Sequence, residues 1–141
     1  MKLLGRERGN CLHYVVAALI KEGEQYFLIE RATFPYAWGC VAGHIDSTDA
    51  TPEDALRREL REEVGLEAQT LRLLWRKIVD NECKDGTALH DYSIYEVIAR
   101  GSVNPSPREV KRYGWFTSDQ LQDISLTPFW TVYFQDCRND R

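Results

Sequence analysis

Residues 57–65 carry a dense run of charges and read Arg-Arg-Glu-Leu-Arg-Glu-Glu-Val-Gly. Because a helix turns about 100° per residue, Glu59, Glu62 and Glu63, spaced i, i+3 and i+4, share one of its faces. Like charges at these spacings repel by about 0.2–0.5 kcal/mol per pair, so the three carboxylates predict a compensating positive partner. Arg58 reaches Glu62 at i+4 but cannot neutralise all three, whereas a divalent cation that prefers oxygen ligands can. A hydrated surface face is the alternative explanation.

The flanking residues set the limits of this helix. Thr51 offers a hydroxyl that can cap free backbone amides, and Pro52 tolerates the first helical position. Gly65 can take the left-handed conformation that ends a helix, with Leu66 folding back as the usual apolar contact. The sequence therefore predicts a helix over Pro52–Val64 with one apolar sector that packs on a sheet. That sector consists of Leu56, Leu60 and Val64.

Upstream of the helix, two apolar segments indicate strands. Residues 14–20 form a continuous, β-branched apolar run, and residues 25–30 resume it after a polar turn, which predicts a β-hairpin with a buried first strand. Residues 31–49 follow neither period and predict a long ordered loop, interrupted by a short strand around residues 40–44. Loops of this length commonly carry function.

Downstream of the helix, apolar alternation and turn signals indicate further strands and short helices. An Asp-Gly pair at residues 85–86 favours a tight turn. The predicted elements are strands at 71–79, 87–99 and 114–116, a short helix after the capping box at 117–120, and a final helix opened by Thr127 and Pro128. This order of elements predicts an α/β fold, a mixed β-sheet with helices on both faces, in a single domain over residues 1–141.

The composition argues against several classes of protein. The 141 residues include 18 basic and 22 acidic side chains, and a net charge of -4 has the wrong sign for gripping long nucleic acid through many phosphate contacts. The longest apolar run is far shorter than the roughly 20 residues of a membrane-spanning helix, and the N-terminal residues lack the hydrophobic region of a secretory signal. We therefore expect a cytoplasmic protein that binds neither membranes nor long nucleic acid, with a homodimer as an open alternative.

The cysteine and histidine positions argue against a zinc-thiolate centre. The four cysteines are scattered without a Cys-x-x-Cys pair, which disfavours both a thiolate zinc site and a disulfide framework. The histidines available to complete such a site are His13, His44 and His90. We expect the thiols to be reduced and packed as small apolar groups, with Cys40 alone near the segments of interest.

The carboxylate helix resembles the signature of the Nudix hydrolases, G-x5-E-x7-R-E-U-x-E-E-x-G-U, in which U is aliphatic. Seven positions at fixed spacing on a predicted helix form a specific motif. They match the second half of the signature in full and are Arg58, Glu59, Leu60, Glu62, Glu63, Gly65 and Leu66. The resemblance extends over roughly residues 14–121, and it implies the Nudix fold for most of the chain.

The first half of the signature departs from the family pattern. Ala50 stands where the signature has glutamate, and Gly43 lies one residue too far upstream, so the loop between them is one residue longer. In the family that glutamate looks like a brace between the loop and the helix. We predict that Asp49 takes its place and pairs with Arg58, so that the metal-binding half of the signature keeps its support.

The resemblance implies a magnesium site, with Mn²⁺ as the alternative metal. Residues 38–43 are similar to the family's W-x-x-P-G-G segment, in which the carbonyl at the position of Ala42 is a metal ligand. The implied ligands of one or more Mg²⁺ ions are Glu59, Glu62, Glu63 and the carbonyl of Ala42. Such ions neutralise phosphate charge and activate water for hydrolysis. Arg58 is grouped with these glutamates as a catalytic residue.

Further residues are candidates for catalysis and substrate contact. Glu109 lies in a segment similar to one where the family often has an additional base or ligand. Either Glu109 or one of the helix glutamates is therefore expected to accept the proton of the attacking water. Arg31, at the end of the second strand, is the candidate phosphate clamp, because a guanidinium binds two oxygens at once. Other substrate contacts are expected from Phe34 and Tyr36, as a stacking surface, and from Gly43 and His44.

The implied function is a Mg²⁺-dependent pyrophosphohydrolase whose partner is a small nucleotide or another diphosphate. It would cleave a nucleoside diphosphate linked to another moiety, for example a nucleoside triphosphate to the monophosphate and pyrophosphate. Two alternatives stay open. Ala50 and the longer loop suggest a non-hydrolytic sensor that binds a nucleotide without cleaving it. Cys40 near Gly43 and His44 suggests an isoprenyl diphosphate isomerase, although in that branch the cysteine immediately precedes Gly-His.

Overall fold

A mixed sheet and two helices make up the computed structural model, which describes residues 12–83 and 86–139. Within these ranges no helix combines the length and the apolar character that crossing a membrane requires. The elements in chain order are β1 (Leu12–Glu22), β2 (Gln25–Arg31), β3 (Trp38–Gly39), β4 (Val41–His44), α1 (Pro52–Val64), β5 (Glu67–Cys83), β6 (Gly86–Arg100), β7 (Val110–Thr117), a 3-10 helix (Gln120–Asp123) and α2 (Pro128–Asn139).

Strand β1 lies at the centre of the sheet. It pairs in parallel with β6 over residues 12–20, and on its other edge it pairs antiparallel with β4. β6 in turn pairs antiparallel with the long strand β5, and β2 pairs with β3 and β7. Residues 15–20 of β1 are all buried, because this strand has neighbours on both edges and apolar layers on both faces.

The hairpin between β1 and β2 is shorter than the apolar pattern indicated. Among the described residues, these strands pair only at Lys21 with Tyr26 and at Glu22 with Gln25. Beyond that point the strands separate, because residues 15–18 on the same edge of β1 pair with β4 instead. This separation leaves room for β4 to join the sheet beside β1.

Helices cover both faces of the sheet, as the element order predicted. The core between the sheet and α1 contains Val16, Ala18, Ile20, Leu56, Leu60 and Val64, all buried. The core on the opposite face, under α2, contains Ala17, Leu19, Leu28, Ile94, Trp130 and Phe134. Alternate residues of β1 therefore serve different cores, which is the period of two expected of a strand.

Helix α1 begins and ends where the sequence predicted. The Thr51 hydroxyl accepts a hydrogen bond from the Asp54 amide at 3.0 Å. Gly65 has a φ of 71°, and its amide donates to the carbonyl of Arg61 at 3.1 Å. Leu66 is buried in the same core as the apolar sector of the helix. These contacts hold α1 over Pro52–Val64 and fix the direction of its acidic face.

The remaining strands are longer than their apolar patterns indicated. β5 and β6 extend the predicted segments to Glu67–Cys83 and Gly86–Arg100, and the predicted tight turn at Lys84 and Asp85 lies outside the described residues. β7 has 8 residues, because its polar first half pairs with β2. The capping box at 117–120 is present: the Thr117 amide donates to Gln120 Oε1 at 2.8 Å, and the Gln120 amide donates back to Thr117 Oγ1 at 3.3 Å.

Candidate functional site

A cleft of about 980 Å³ opens beside β4, between the acidic face of α1 and the start of α2. It gathers nearly all the residues that the sequence singled out. Tyr36 is the exception: it is not among the lining residues, and it is 73% exposed. The predicted residues that do line the cleft are Arg31, Phe34, Ala42, Gly43, His44, Arg58, Glu59, Glu62, Glu63 and Glu109.

Gly43 allows β4 to approach the acidic face of α1 closely. A Cβ built at position 43 would lie 2.6 Å from Glu59 Oε1 and closer still to the rest of that carboxylate. Any side chain at this position would therefore displace Glu59. Ala42, the preceding residue, also lines the cleft and is half-buried. The backbone of β4 thus forms the wall against which the Glu59 carboxylate rests.

Glu63 is a buried carboxyl, 4% exposed, in the wall of this cleft. Burial raises its pKa well above the usual range, and the hydrogen bond and negative charge of Glu59 raise it further, as does the charge of Glu109. Arg31 opposes these effects. With no cation bound, Glu63 therefore holds a proton more tightly than an ordinary glutamate. The other two glutamates on this face differ widely in exposure. The side chain of Glu59 is 13% exposed and that of Glu62 is 60% exposed.

Arg58 ties the loop before α1 to the acidic face, and its predicted pair with Asp49 is confirmed. Its Nε and Nη2 donate to the two oxygens of Asp49 at 3.0 and 2.8 Å. Its Nη1 donates to Oε1 of Glu59 at 2.8 Å and to Oε1 of Glu62 at 3.2 Å, and Nη2 also donates to the carbonyl of His44 at 3.2 Å. The hydrogen bonds with Asp49 raise the pKa of Arg58 and lower that of Asp49.

The loop that carries Asp49 accommodates the extra residue by closing on itself. The Asp49 amide donates to the carbonyl of Asp46 at 3.1 Å, and the Asp46 amide donates to Asp49 Oδ2 at 3.0 Å. The Thr48 amide donates to Asp46 Oδ1 at 2.8 Å. These bonds turn the Asp49 side chain toward Arg58, whereas Ala50 is exposed. Asp49 therefore pairs with Arg58 in place of the glutamate that the signature has at position 50.

Arg31 lies at the end of β2 and presents a donor that the protein itself does not use. Its Nη2 donates to Thr33 Oγ1 at 3.3 Å and to the carbonyl of Phe34 at 3.1 Å. Its Nε is buried and has no hydrogen-bond partner. The half-buried guanidinium lies in the wall of the cleft, where such a group suits an anionic oxygen from a ligand.

Glu109 lines the cleft because backbone hydrogen bonds hold its loop against the end of β2 and the end of α1. The Ala32 amide donates to the Glu109 carbonyl at 2.9 Å, next to the end of β2. The Ser106 amide donates to the carbonyl of Glu63 at 2.8 Å, and the Asn104 amide donates to that of Val64 at 2.7 Å. The loop before β7 is therefore fixed at the end of α1, and the charge of Glu109 acts on Glu63.

Two further groups in the cleft bear on chemistry. Cys40 is a free thiol that is 4% exposed, and burial raises its pKa, so it remains protonated. His44 belongs to the end of β4 and contacts the rings of His13 and His90. The residue patterns did not predict this cluster, because it depends on the parallel pairing of β1 with β6. A signal was present, since each of those strands carries a Leu-His pair, and the two pairs align.

The donor set on the α1 side of the cleft fits a hard divalent cation. Three carboxylates and a strand backbone offer oxygen atoms, which Mg²⁺ and Mn²⁺ prefer. Burial raises the pKa of Glu63, and the hydrogen bond and charge of the neighbouring Glu59 raise it further, so that without positive charge nearby Glu63 favours keeping its proton. A cation at this place would replace that proton and relieve the repulsion.

Comparisons with known proteins agree with this fold. The family model of the NUDIX domain matches residues 12–135. The chain is 31% identical over 124 residues to the nucleoside triphosphatase NudI of Enterobacter sp. (strain 638), an overlap of 79% of this chain and 86% of that protein. The match to the family model covers the whole cleft, helix α1 and residues 128–135 of α2.

Solved structures show the same architecture. The MutT protein of Methanosarcina mazei Go1 superposes with a TM-score of 0.76 at 19% identity, over 96% of this chain and all of that one. The NUDIX domain of Shewanella oneidensis NrtR, solved with ADP ribose, superposes with a TM-score of 0.71 at 16% identity, over 90% of this chain and 86% of that one. At these identities the likeness concerns the fold.

Proposed function

Since this chain belongs to the Nudix family of hydrolases, which act on phosphoric anhydrides, we propose that it is a divalent-cation-dependent pyrophosphohydrolase of nucleotides. Its substrate is a nucleoside diphosphate linked to another moiety, and a nucleoside triphosphate is the first candidate. The observation that carries the proposal is the neighbouring pair of carboxyls Glu59 and Glu63 in the wall of the cleft, with Glu59 packed against Gly43. The similarity to a nucleoside triphosphatase supports the choice of substrate.

Mg²⁺, with Mn²⁺ as the alternative, would be held by the three α1 glutamates and the carbonyl of Ala42. A bound ion supplies neutralisation of phosphate charge and activation of the attacking water. Arg58 positions these ligands, because it donates to both Glu59 and Glu62 while Asp49 holds it from the loop side. The protein's contribution is to keep several anionic groups at one place before the substrate arrives.

The remaining cleft residues would orient the substrate and accept a proton. The Arg31 guanidinium would donate to a phosphate oxygen, while its Nη2 stays anchored to Thr33 and Phe34. The Phe34 ring, 43% exposed in the cleft wall, is available to stack on a base. Glu109, or one of the α1 glutamates, would accept the proton of the attacking water.

A nucleotide panel with product chromatography tests the proposal. Each candidate is incubated with the protein and Mg²⁺ in ¹⁸O-labelled water, so that the labelled product identifies the phosphorus that is attacked. We expect a nucleoside monophosphate and pyrophosphate from a triphosphate. Glu62→Gln should lose turnover, whereas Glu24→Gln, at the exposed turn after β1, should keep it. Equal turnover in both variants would refute the assignment of the α1 glutamates.

A nucleotide sensor without hydrolysis is the second candidate function. A structurally similar NUDIX domain was solved with ADP ribose, and Ala50 departs from the hydrolase signature. Against it, Asp49 restores the brace to Arg58. Calorimetry that shows tight ADP ribose binding, with no products after long incubation with Mg²⁺ or Mn²⁺, would favour the sensor. The isomerase alternative gains no support, because Ala42 rather than a cysteine immediately precedes Gly43 and His44.

A further inference from the structure

Three histidines meet on the face of the sheet opposite α1. They lie on three adjacent strands, His13 on β1, His44 on β4 and His90 on β6, and we refer to them as the histidine cluster. Their ring centroids are 5.1 Å apart for His13 and His44 and 5.0 Å apart for His13 and His90. Each ring offers a nitrogen atom that lies within 4.8 Å of those of the other two.

The sheet register explains how the cluster forms. His13 pairs with His90 across the parallel β1 and β6 strands, so the two side chains leave the sheet on the same face. On the other edge of β1, His44 pairs with Val15, which is the next residue after His13 on the same face of the strand. Gly43 faces Glu59 on α1, and the alternation along β4 turns His44 to the opposite side. The histidine cluster and the α1 glutamates therefore lie on different faces of the same strand.

We propose that the histidine cluster is a binding site for a divalent transition-metal ion of the zinc type, separate from the carboxylate site. Imidazole nitrogens are borderline ligands that favour zinc, copper, nickel and cobalt over magnesium. The α1 glutamates offer only oxygen ligands, which suit the harder Mg²⁺ and Mn²⁺ ions. The histidine cluster is therefore the site on β4 that discriminates most strongly in favour of a zinc-type ion.

The distances fit a metal ion with little movement of the rings. Two nitrogens bound to zinc at about 2.1 Å in tetrahedral geometry lie roughly 3.4 Å apart. The 4.8 Å limit on the nitrogen separations thus requires the rings to close by at most about 1.4 Å. This closure would come from rotation about the side-chain torsions, because the strand pairing fixes the three Cα atoms.

Burial supports a site that is built into the fold and open on one side. His13 and His90 are 3% and 1% exposed, whereas His44 is half-buried. His44 and His90 line the cleft, together with Tyr92 and the start of α2. Three protein ligands leave a fourth position, as in zinc sites that bind water or a substrate oxygen. An oxygen atom of a molecule in the cleft can complete the coordination.

Metal titration of the untagged full chain tests this site. After treatment with a chelator, the protein is titrated with Zn²⁺ alone by calorimetry and with Co²⁺ by visible absorption. We expect the tightest ion to bind at the histidine cluster, one per chain, with a Co²⁺ spectrum of nitrogen and oxygen ligands, and any binding at the α1 glutamates to be weaker. His44→Gln should weaken Zn²⁺ binding by more than about 100-fold, since losing a ligand exceeds the roughly 10–100-fold cost of losing a group behind one.

Matched variants separate the histidine cluster from the carboxylate site. Glu62→Gln should leave Zn²⁺ binding at the cluster within about twofold of wild type. His44→Gln is the primary variant, because His44 is the least buried of the three, and the Co²⁺ spectrum of the wild type needs no variant at all. The proposal is overturned if the wild type binds no Zn²⁺, if Glu62→Gln rather than His44→Gln abolishes binding, or if the Co²⁺ spectrum shows thiolate charge-transfer bands.

Discussion

Replacing Gly43 with alanine should disable the site while leaving the protein folded. The new Cβ would lie 2.6 Å from Glu59 Oε1 and closer to the other carboxylate atoms. Unbonded heavy atoms prefer separations of about 3.5–4.0 Å, so the carboxylate has to move by about 1 Å or more. A displacement of 1 Å in a catalytic group costs about 100-fold in rate, and we expect at least that loss in kcat/KM.

The cost in stability should be small by comparison. Glu59 would lose its hydrogen bond from Arg58 at 2.8 Å, which as a bond between charged groups contributes roughly 1.5–3 kcal/mol. Part of this is recovered because the displaced carboxylate reaches water. We therefore expect the unfolding free energy to fall by about 1–2 kcal/mol, which corresponds to a Tm lower by about 2–8 °C for a domain of this size.

The assay compares kcat/KM on the best substrate with Tm from calorimetry, for Gly43→Ala and for Gly114→Ala as the matched control. Gly114 lies on β7, where a Cβ would come no closer than 3.3 Å to the Phe116 ring. The control should keep kcat/KM within about threefold, because Gly114 lies outside the cleft lining. Wild-type kcat/KM in Gly43→Ala would show that close contact between β4 and Glu59 is unnecessary.

Three further results are expected. Asp49→Asn should lower the unfolding free energy by about 1–2 kcal/mol at pH 7, seen as a lower urea midpoint, because it weakens the two-bond pair with Arg58. The pair lowers the pKa of Asp49, so its stabilisation is complete above the unfolded-state pKa of about 3.9 and is lost as the pH falls through the folded-state pKa. The urea midpoints of wild type and Asp49→Asn should therefore converge on acidification, and a constant difference between them would contradict this. Arg31→Lys should raise KM at least about tenfold with a smaller change in kcat, because a lysine lacks the planar set of donors, whereas Arg72→Lys on the exposed face of β5 should change neither. Glu63→Gln should raise the Tm of the metal-free protein at pH 7 and remove the Tm increase caused by Mg²⁺. Because the pKa of Glu63 is raised in the folded state, ionising this group destabilises the fold above the unfolded-state pKa of about 4.3. A lower Tm in this variant would contradict the reasoning.

Local patterns in the sequence were enough to predict helix α1 and its acidic face. Thr51 and Gly65 mark its two ends through capping interactions that involve only neighbouring residues. The substitution of Asp49 for the missing glutamate at position 50 was also predictable, because a carboxylate one residue away can reach the same arginine. Such features depend on contacts within about ten residues of the chain.

Features that depend on distant pairing were not predictable in the same way. The short contact between β1 and β2 follows from the competition of β4 for the same edge, which no local pattern reports. The histidine cluster requires the parallel register of β1 with β6, more than seventy residues apart in the sequence. The position of Tyr36 outside the cleft likewise depends on the path of the loop after β2.

A crystal structure of the full chain grown with Mn²⁺, with anomalous difference maps, is the most direct test of the carboxylate site. We expect an anomalous peak within bonding distance of Glu59 and Glu63, with Glu62 and the Ala42 carbonyl around it. Ordered carboxylates with no peak among them at saturating Mn²⁺ would contradict the assignment of this cleft as the hydrolytic centre.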